Sequence, residues 1–280
     1  MANSDSISNS EAERNQKIKQ LMQAAIDGKV EEMRKILQQK IEVDVIDSTD
    51  PEKNTALHLA AENGQLNVVR FLLDKGADPM KTRQNKNARN AFHLAAGNGH
   101  TDIVALILKR AKNLDINKTG KLGMTALYRA ATNGHVATVR LLLFYGADPN
   151  KPDLFGMTAS ESATLSKHLA VTKLLKTFSA ISFCVKEEEI LLDVKAIQNA
   201  YVAKASTQEF LDKSLFEQIF EQKVEQLLKT IWELHYPEIK QNLINLKVSE
   251  NDLDPSLALA KDLLKDYIFY KINRKLITQD

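Results

Sequence analysis

The sequence predicts an all-α solenoid of helix-turn-helix units with projecting hairpin loops, followed by a small C-terminal helical bundle. Three observations predict it. A nine-residue pattern recurs at a constant interval of 35 residues: ALHLAAENG from Ala56, AFHLAAGNG from Ala91 and ALYRAATNG from Ala126. Each copy leads into a second apolar run at helical spacing, VVRFLLDKG, IVALILKRA and TVRLLLFYG. From about Ser179 the pattern stops and longer amphipathic stripes replace it. One such unit cannot bury its apolar face alone, whereas units stacked in series shield one another.

The elements follow in chain order. Residues 2–10, ANSDSISNS, are polar with no apolar core, so no secretory signal is expected, and 1–15 reads as a disordered tail. The stretch AAIDGKVEEMRKILQQKIEVD from Ala24 is a weakened copy of the pattern, as is GMTASESA from Gly156 onward to Lys176. Terminal units meet solvent on one side, so these two read as caps around three good repeats within 16–178. In the good repeats Thr55, Asn90 and Thr125 stand where a side-chain acceptor caps a helix start. Leu57, Phe92 and Leu127 point to the core, and the pairs Ala60-Ala61, Ala95-Ala96 and Ala130-Ala131 let the next unit approach closely. Gly64, Gly99 and Gly134 end the first helix. GADP at Gly76 and at Gly146 turns the chain out into a hairpin, with Asp115-Ile116-Asn117 as the degenerate version between them.

These residues resemble the ankyrin-repeat pattern of hairpin, Thr-Pro-Leu-His-Leu-Ala-Ala helix, glycine turn, second helix and Gly-Ala-Asp. The resemblance covers about residues 19–177. It departs at the proline, replaced by Ala56, Ala91 and Ala126, and at His-Leu, which becomes Tyr128-Arg129 in the third good repeat. Arg129, where its sisters are Leu59 and Leu94, marks an altered surface or a local salt bridge. The resemblance implies that His58 and His93 tie helix to hairpin backbone. It also implies a binding module that grips a partner protein with hairpin tips and the concave helix face. The tip residues so implied include Pro51, Glu52 and Asn54; Lys86, Asn87 and Arg89; Lys121, Leu122 and Met124; and Leu154, Phe155 and Met157. On the inner helices they are Glu62, Asn63, Asn98, Arg129, Thr132 and Asn133. Apolar residues on a tip are candidate anchors, though Phe155 and Met157 have the alternative of folding down onto a neighbour.

Residues 179–280 read as a separate helical domain. One stripe runs Ile190, Leu191, Val194, Ile197, Tyr201 behind acidic Glu187-Glu188-Glu189. A second runs from Phe210 to Trp232 and is expected to stop at Pro237, with a short helix over 238–246. The last is expected to begin at Asp254 with Pro255 in its first turn. Such helices suit a small bundle.

The bulk composition narrows the function classes. Lys and Arg number 38 and Asp and Glu 36, a net charge of +2 that gives no general pull toward nucleic acid or anionic membrane. Residues 178–280 carry 13 basic and 17 acidic residues, leaving 25 against 19 for the rest, so the repeat half favours an acidic partner. The lone Cys184 excludes an intrachain disulfide and suits a reducing compartment. His58 and His93, like His100 and His135, share repeat positions and stand about 10 Å apart by helix packing, so no metal site and no cofactor is expected. Cys184 in apolar ISFCV, with His235 downstream, reads as a packed thiol and not a nucleophile–base pair. The expected protein is a monomeric, non-catalytic, cytoplasmic adaptor binding neither nucleic acid nor membrane. The alternative is an enzyme whose activity resides in 179–280 and whose repeats select the substrate. The Lys-, Asn- and Ile-rich composition, sparse Pro and Gly, and an apolar Ile277 near the end are similar to ankyrin effectors secreted by intracellular bacteria. That resemblance implies action on a host protein.

Overall fold

The computed structural model describes residues 2–38, 48–81, 88–111, 114–184 and 213–277. The described residues hold twelve helices and no strand. They fall into two compact units, 1–172 and 173–280.

The first unit is the solenoid. Its helices are α1 (Ala2–Asp27), α2 (Val30–Gln38), α3 (Ala56–Glu62), α4 (Leu66–Asp74), α5 (Ala91–Gly97), α6 (Thr101–Arg110), α7 (Ala126–Thr132), α8 (Val136–Phe144), α9 (Ala159–Leu165) and the start of α10 (Leu169–Cys184). First helices stack in the series α1, α3, α5, α7, α9, and second helices in the series α2, α4, α6, α8. Helix α1 begins at Ala2, so it runs through the 1–15 stretch that polarity marked as a tail. Among its described side chains Leu21, Met22, Ala24 and Ala25 are buried, while residues 12–16 are exposed. Packing therefore acts on the C-terminal end of α1.

The seven-residue first helices are too short to persist alone. Two things hold them. Their apolar faces are buried, as in α5, where Phe92, Ala95 and Ala96 are each 1 % exposed or less. Their first turns are closed reciprocally. In α3 the His58 N–H donates to Thr55 Oγ1, and the Thr55 N–H returns a bond to His58 Nδ1 at 3.1 Å. In α5 the His93 N–H donates to Asn90 Oδ1 at 2.9 Å, and the Asn90 N–H reaches His93 Nδ1. The same box closes α9 through Thr158 and Glu161. In α7 Tyr128 replaces the histidine and the return bond is absent from the cap.

Neighbouring repeats are joined through the residue after each turn glycine. The His100 ring nitrogen Nε2 bonds the Glu62 carbonyl at 3.2 Å, and His135 Nε2 bonds the Gly97 carbonyl at 3.0 Å. Gln65 occupies the same register position one repeat earlier and donates to the Ile26 carbonyl at 2.8 Å. The asparagines before the glycines add to this seam: Asn98 donates to Glu62 O and Asn133 to Gly97 O.

The second unit contains the rest of α10, then α11 (Lys213–Asn245) and α12 (Glu250–Ile277). The short link at 246–249 turns α12 back along α11. Val224, Leu228, Ile231, Ile239 and Leu243 face Leu257, Ala260, Leu263, Leu264 and Ile268 in a shared core. Two expectations are corrected here. Pro237 lies inside α11 and does not end it. Proline removes one donor and crowds the carbonyl four residues back, but Glu233 and Pro237 both lie on the exposed face, where water serves that carbonyl. The buried row Ile231, His235, Ile239, Leu243 continues through the proline at four-residue steps. Likewise α12 starts at Glu250, ahead of Asp254. Ser249 forms the stop, with its Oγ 2.6 Å from Asp252 Oδ2 and its carbonyl accepting the Asp252 N–H. Residues 185–212, which include the Ile190–Tyr201 stripe, lie outside the described residues.

Candidate protein-binding face

Three of the four hairpins between repeats have described tips. Each is a tight turn closed by backbone bonds. In the first, Asp50 accepts from the Asn54 N–H and side-chain amide at 2.7 and 2.8 Å. Asn54 is thereby buried, 3 % exposed, so it braces the base of the hairpin instead of standing at its tip as the sequence suggested. Pro51, Glu52 and Lys53 are exposed there. Lys86 and Asn87 of the second hairpin lie outside the described residues.

The third and fourth hairpins work as a pair. The Leu154 N–H donates to the Leu122 carbonyl at 3.1 Å, joining one tip to the next. This approach requires Gly123, since a Cβ there would stand 2.8 Å from the Leu154 nitrogen. Behind the tips, Asp148 N–H and Lys151 Nζ both bond Asn117. In the fourth turn, Asp153 Oδ1 accepts from the N–H groups of Phe155 and Met157, each at 2.9 Å. Burial pushes the Asp153 carboxyl up, but those two N–H groups and the Tyr128 hydroxyl outweigh it and hold it below the usual range. Tyr128 thus does in its repeat what His93 does in the previous one. His93 Nδ1 accepts from Asn90, so Nε2 carries the proton and donates to the Lys118 carbonyl at 2.9 Å of the next hairpin. The phenol instead donates to a carboxylate of the next hairpin.

The frame leaves Leu122, Leu154 and Phe155 in solvent, at 43 %, 69 % and 78 % exposure. Phe155 stands out from the surface, whereas Met124 and Met157 are half-buried. Lys121 is exposed beside them. Glu62 is half-buried, and Asn63, Asn98 and Asn133 are exposed. The amides of Asn98 and Asn133 are spent on the repeat seam, and that of Asn63 on the Leu59 carbonyl. Thr132 Oγ1 bonds the Tyr128 carbonyl and Ser162.

Arg129 is the unusual member of this face. Its Cβ lies 3.6 Å from where a Cβ on Gly97 would be, so its stem rests on α5. Arg89, at the entrance to α5, is close enough to repel it. Burial and then that repulsion push the Arg129 guanidinium down to about 10. The Nε atoms of both arginines are buried without a hydrogen-bond partner. No salt bridge to Arg129 occurs among the described residues, and its side chain is half-buried. The folded state holds this charge at a cost. Arg129→Leu, which restores the residue of the sister repeats, is therefore expected to raise stability by roughly 1 kcal/mol after discounting for solvent screening. A denaturant titration read by circular dichroism checks it, and a midpoint that falls counts against the unfavourable charge pair.

Sequence reasoning missed Gln65, Tyr128 and Asp153 as framework residues. The signal was present for the first two, because they fall in register with His100 and with His93 respectively. His235, 9 % exposed, stands 3.9 Å from Glu238. The Cys184 side chain lies outside the described residues. No group of three or more His, Cys, Asp or Glu that could hold a metal ion occurs among the described residues. No described helix is long and apolar enough to cross a membrane.

A family model described as ankyrin repeats (3 copies) matches residues 6–83 and 80–153. No curated protein matches the chain.

Proposed function

From the premise that the chain belongs to the ankyrin-repeat family, we propose that it is a non-catalytic module that holds a partner protein against its third and fourth hairpins. Ankyrin repeats are generally protein-protein interaction modules and typically not enzymes. The reading is carried by one observation: three large apolar side chains, Leu122, Leu154 and Phe155, stand exposed on two hairpins that are bonded to each other. Adjacent apolar side chains held out on a rigid frame are what an interface core needs. Lys121, exposed next to Leu122, supplies a polar group at its rim. The finer reading is an effector that meets a host protein in the cytoplasm, supported by the Lys-, Asn- and Ile-rich composition.

The test is a paired affinity capture from host-cell lysate. Wild type is set beside a Leu154→Ser, Phe155→Ser variant of unchanged helical content. Partners held by this face should drop at least about tenfold in the variant, since one central anchor is commonly worth more than 1.4 kcal/mol. Partners captured equally by both proteins would place binding elsewhere.

A further inference from the structure

The three described hairpins close in the same way, which puts their residues in register. Asp50, Gly120 and Asp153 stand first, and their N–H groups bond the carbonyls of Asn54, Met124 and Met157. Lys53, Gly123 and Gly156 stand fourth, with φ of 65°, 76° and 80°. Between the third and fourth hairpins, the second residue of one turn meets the third residue of the other: the Leu154 N–H donates to the Leu122 carbonyl. The fourth hairpin repeats that outer edge with nothing seated on it. No described residue donates to the Phe155 carbonyl, the counterpart of the Leu122 carbonyl. A Cβ on Gly156 would meet nothing within 4 Å, whereas one on Gly123 would stand 2.8 Å from the Leu154 nitrogen. Leu122, with a hairpin on its carbonyl, is 43 % exposed, and its counterpart Phe155 is 78 % exposed. The chain passes from α9 into α10 across residues 166–168, so no fifth hairpin follows there.

We propose that the outer edge of the fourth hairpin seats an extended stretch of the bound protein's main chain, which donates one backbone N–H to the Phe155 carbonyl and lays an apolar side chain on the Phe155 ring. The inference rests on the partner-binding reading above and names how the partner is held at that face. An exposed backbone acceptor flanked by apolar side chains is a template for main-chain pairing. The protein displays the fit itself, since its own Leu154 segment occupies the equivalent place on the third hairpin. A second copy stacked end to end does not meet the requirement. Its first hairpin would have to donate from its second residue, which is Pro51 and has no N–H. The occupant is therefore a different protein with a free amide at this point.

The experiment uses the full chain labelled with nitrogen-15 and, as probe, a cyclised peptide of residues 151–158, the segment that already seats on Leu122. The peptide should shift the amide resonances of Gly156 and Met157. Its analogue N-methylated at the residue corresponding to Leu154 should bind roughly fivefold more weakly, the loss of one backbone hydrogen bond. Gly156→Asn puts a side chain into the open place and should weaken the peptide by about tenfold or more. That variant keeps the turn, because Lys53 holds the same position in the first hairpin with φ 65°. No shift at Gly156 and Met157, or equal binding by the peptide and its methylated analogue, overturns the proposal. If Phe155→Ser abolishes peptide binding while methylation and Gly156→Asn leave it unchanged, backbone pairing falls and the apolar hairpin reading stands. Sedimentation of the full chain supplies the last arm: a dimer that Gly156→Asn dissociates assigns the edge to a second copy and also overturns the proposal.

Discussion

Between about pH 7 and pH 5 the wild-type protein is expected to lose about 2 kcal/mol more stability than a His93→Gln variant. Burial, above all, pushes the His93 ring from 6.5 down to about 4, against the raising effect of its bond to the Lys118 carbonyl. Arg129, Lys118 and Arg89 push the same way as burial. The folded state therefore binds this proton less readily than the unfolded chain. Above about 6.5 neither state binds it and the ring contributes no pH dependence. As pH falls from 6.5 toward 4, the unfolded state takes up the proton and gains free energy that the folded state lacks. Stability thus falls with pH over that window. Glutamine keeps an acceptor for the Asn90 N–H, so the capping box survives, while the titration disappears. The variant starts lower at pH 7 because the bond to Lys118 is lost, yet its slope is flatter. Urea titrations of both proteins at several pH values measure the difference, and parallel slopes would show that His93 does not titrate as its surroundings dictate.

The second large effect is at a turn. Gly99→Ala is expected to destabilise the protein by about 2–4 kcal/mol. Two costs coincide. Gly99 has φ +75°, where a side chain is strained by roughly 1 kcal/mol. A Cβ there would also stand 2.5 Å from His135 Nδ1 of the following repeat. The imidazole cannot retreat freely, because its other nitrogen bonds the Gly97 carbonyl. A double-mutant cycle with His135→Ala separates the terms. The steric part should vanish when the ring is absent, giving a coupling of about 1–2 kcal/mol, and the backbone part should remain. Additive effects would mean that the ring does not press on the turn.

The repeat architecture was legible because its determinants are local and recur. A capping residue at Thr55, Asn90 and Thr125, small alanine pairs and a turn glycine stand at fixed offsets, and each has one dominant physical reason to be there. Legibility fell where the outcome depends on a neighbour far along the chain. Pro237 reads as a stop in isolation, and only the buried row on both sides of it carries α11 through. Asn54 reads as a polar tip residue, and only its two hydrogen bonds to the Asp50 carboxylate turn it inward. The exposure of Phe155 was open between two readings until the Asp153 turn beneath it was seen to aim it outward. That Arg89 and Arg129 both act on His93 could not be foreseen, since they are 40 residues apart and come near it only once the repeats are stacked.

The backbone link from Leu154 to Leu122 has a thermodynamic corollary. Loops that bind partners are commonly loose before contact, and freezing them subtracts from affinity. Here two consecutive turns are already locked to each other, so the loss of motion is charged to folding and not to complex formation. A ligand meeting this pair finds a shape that is preset, and the advantage should appear as slow release more than as fast capture.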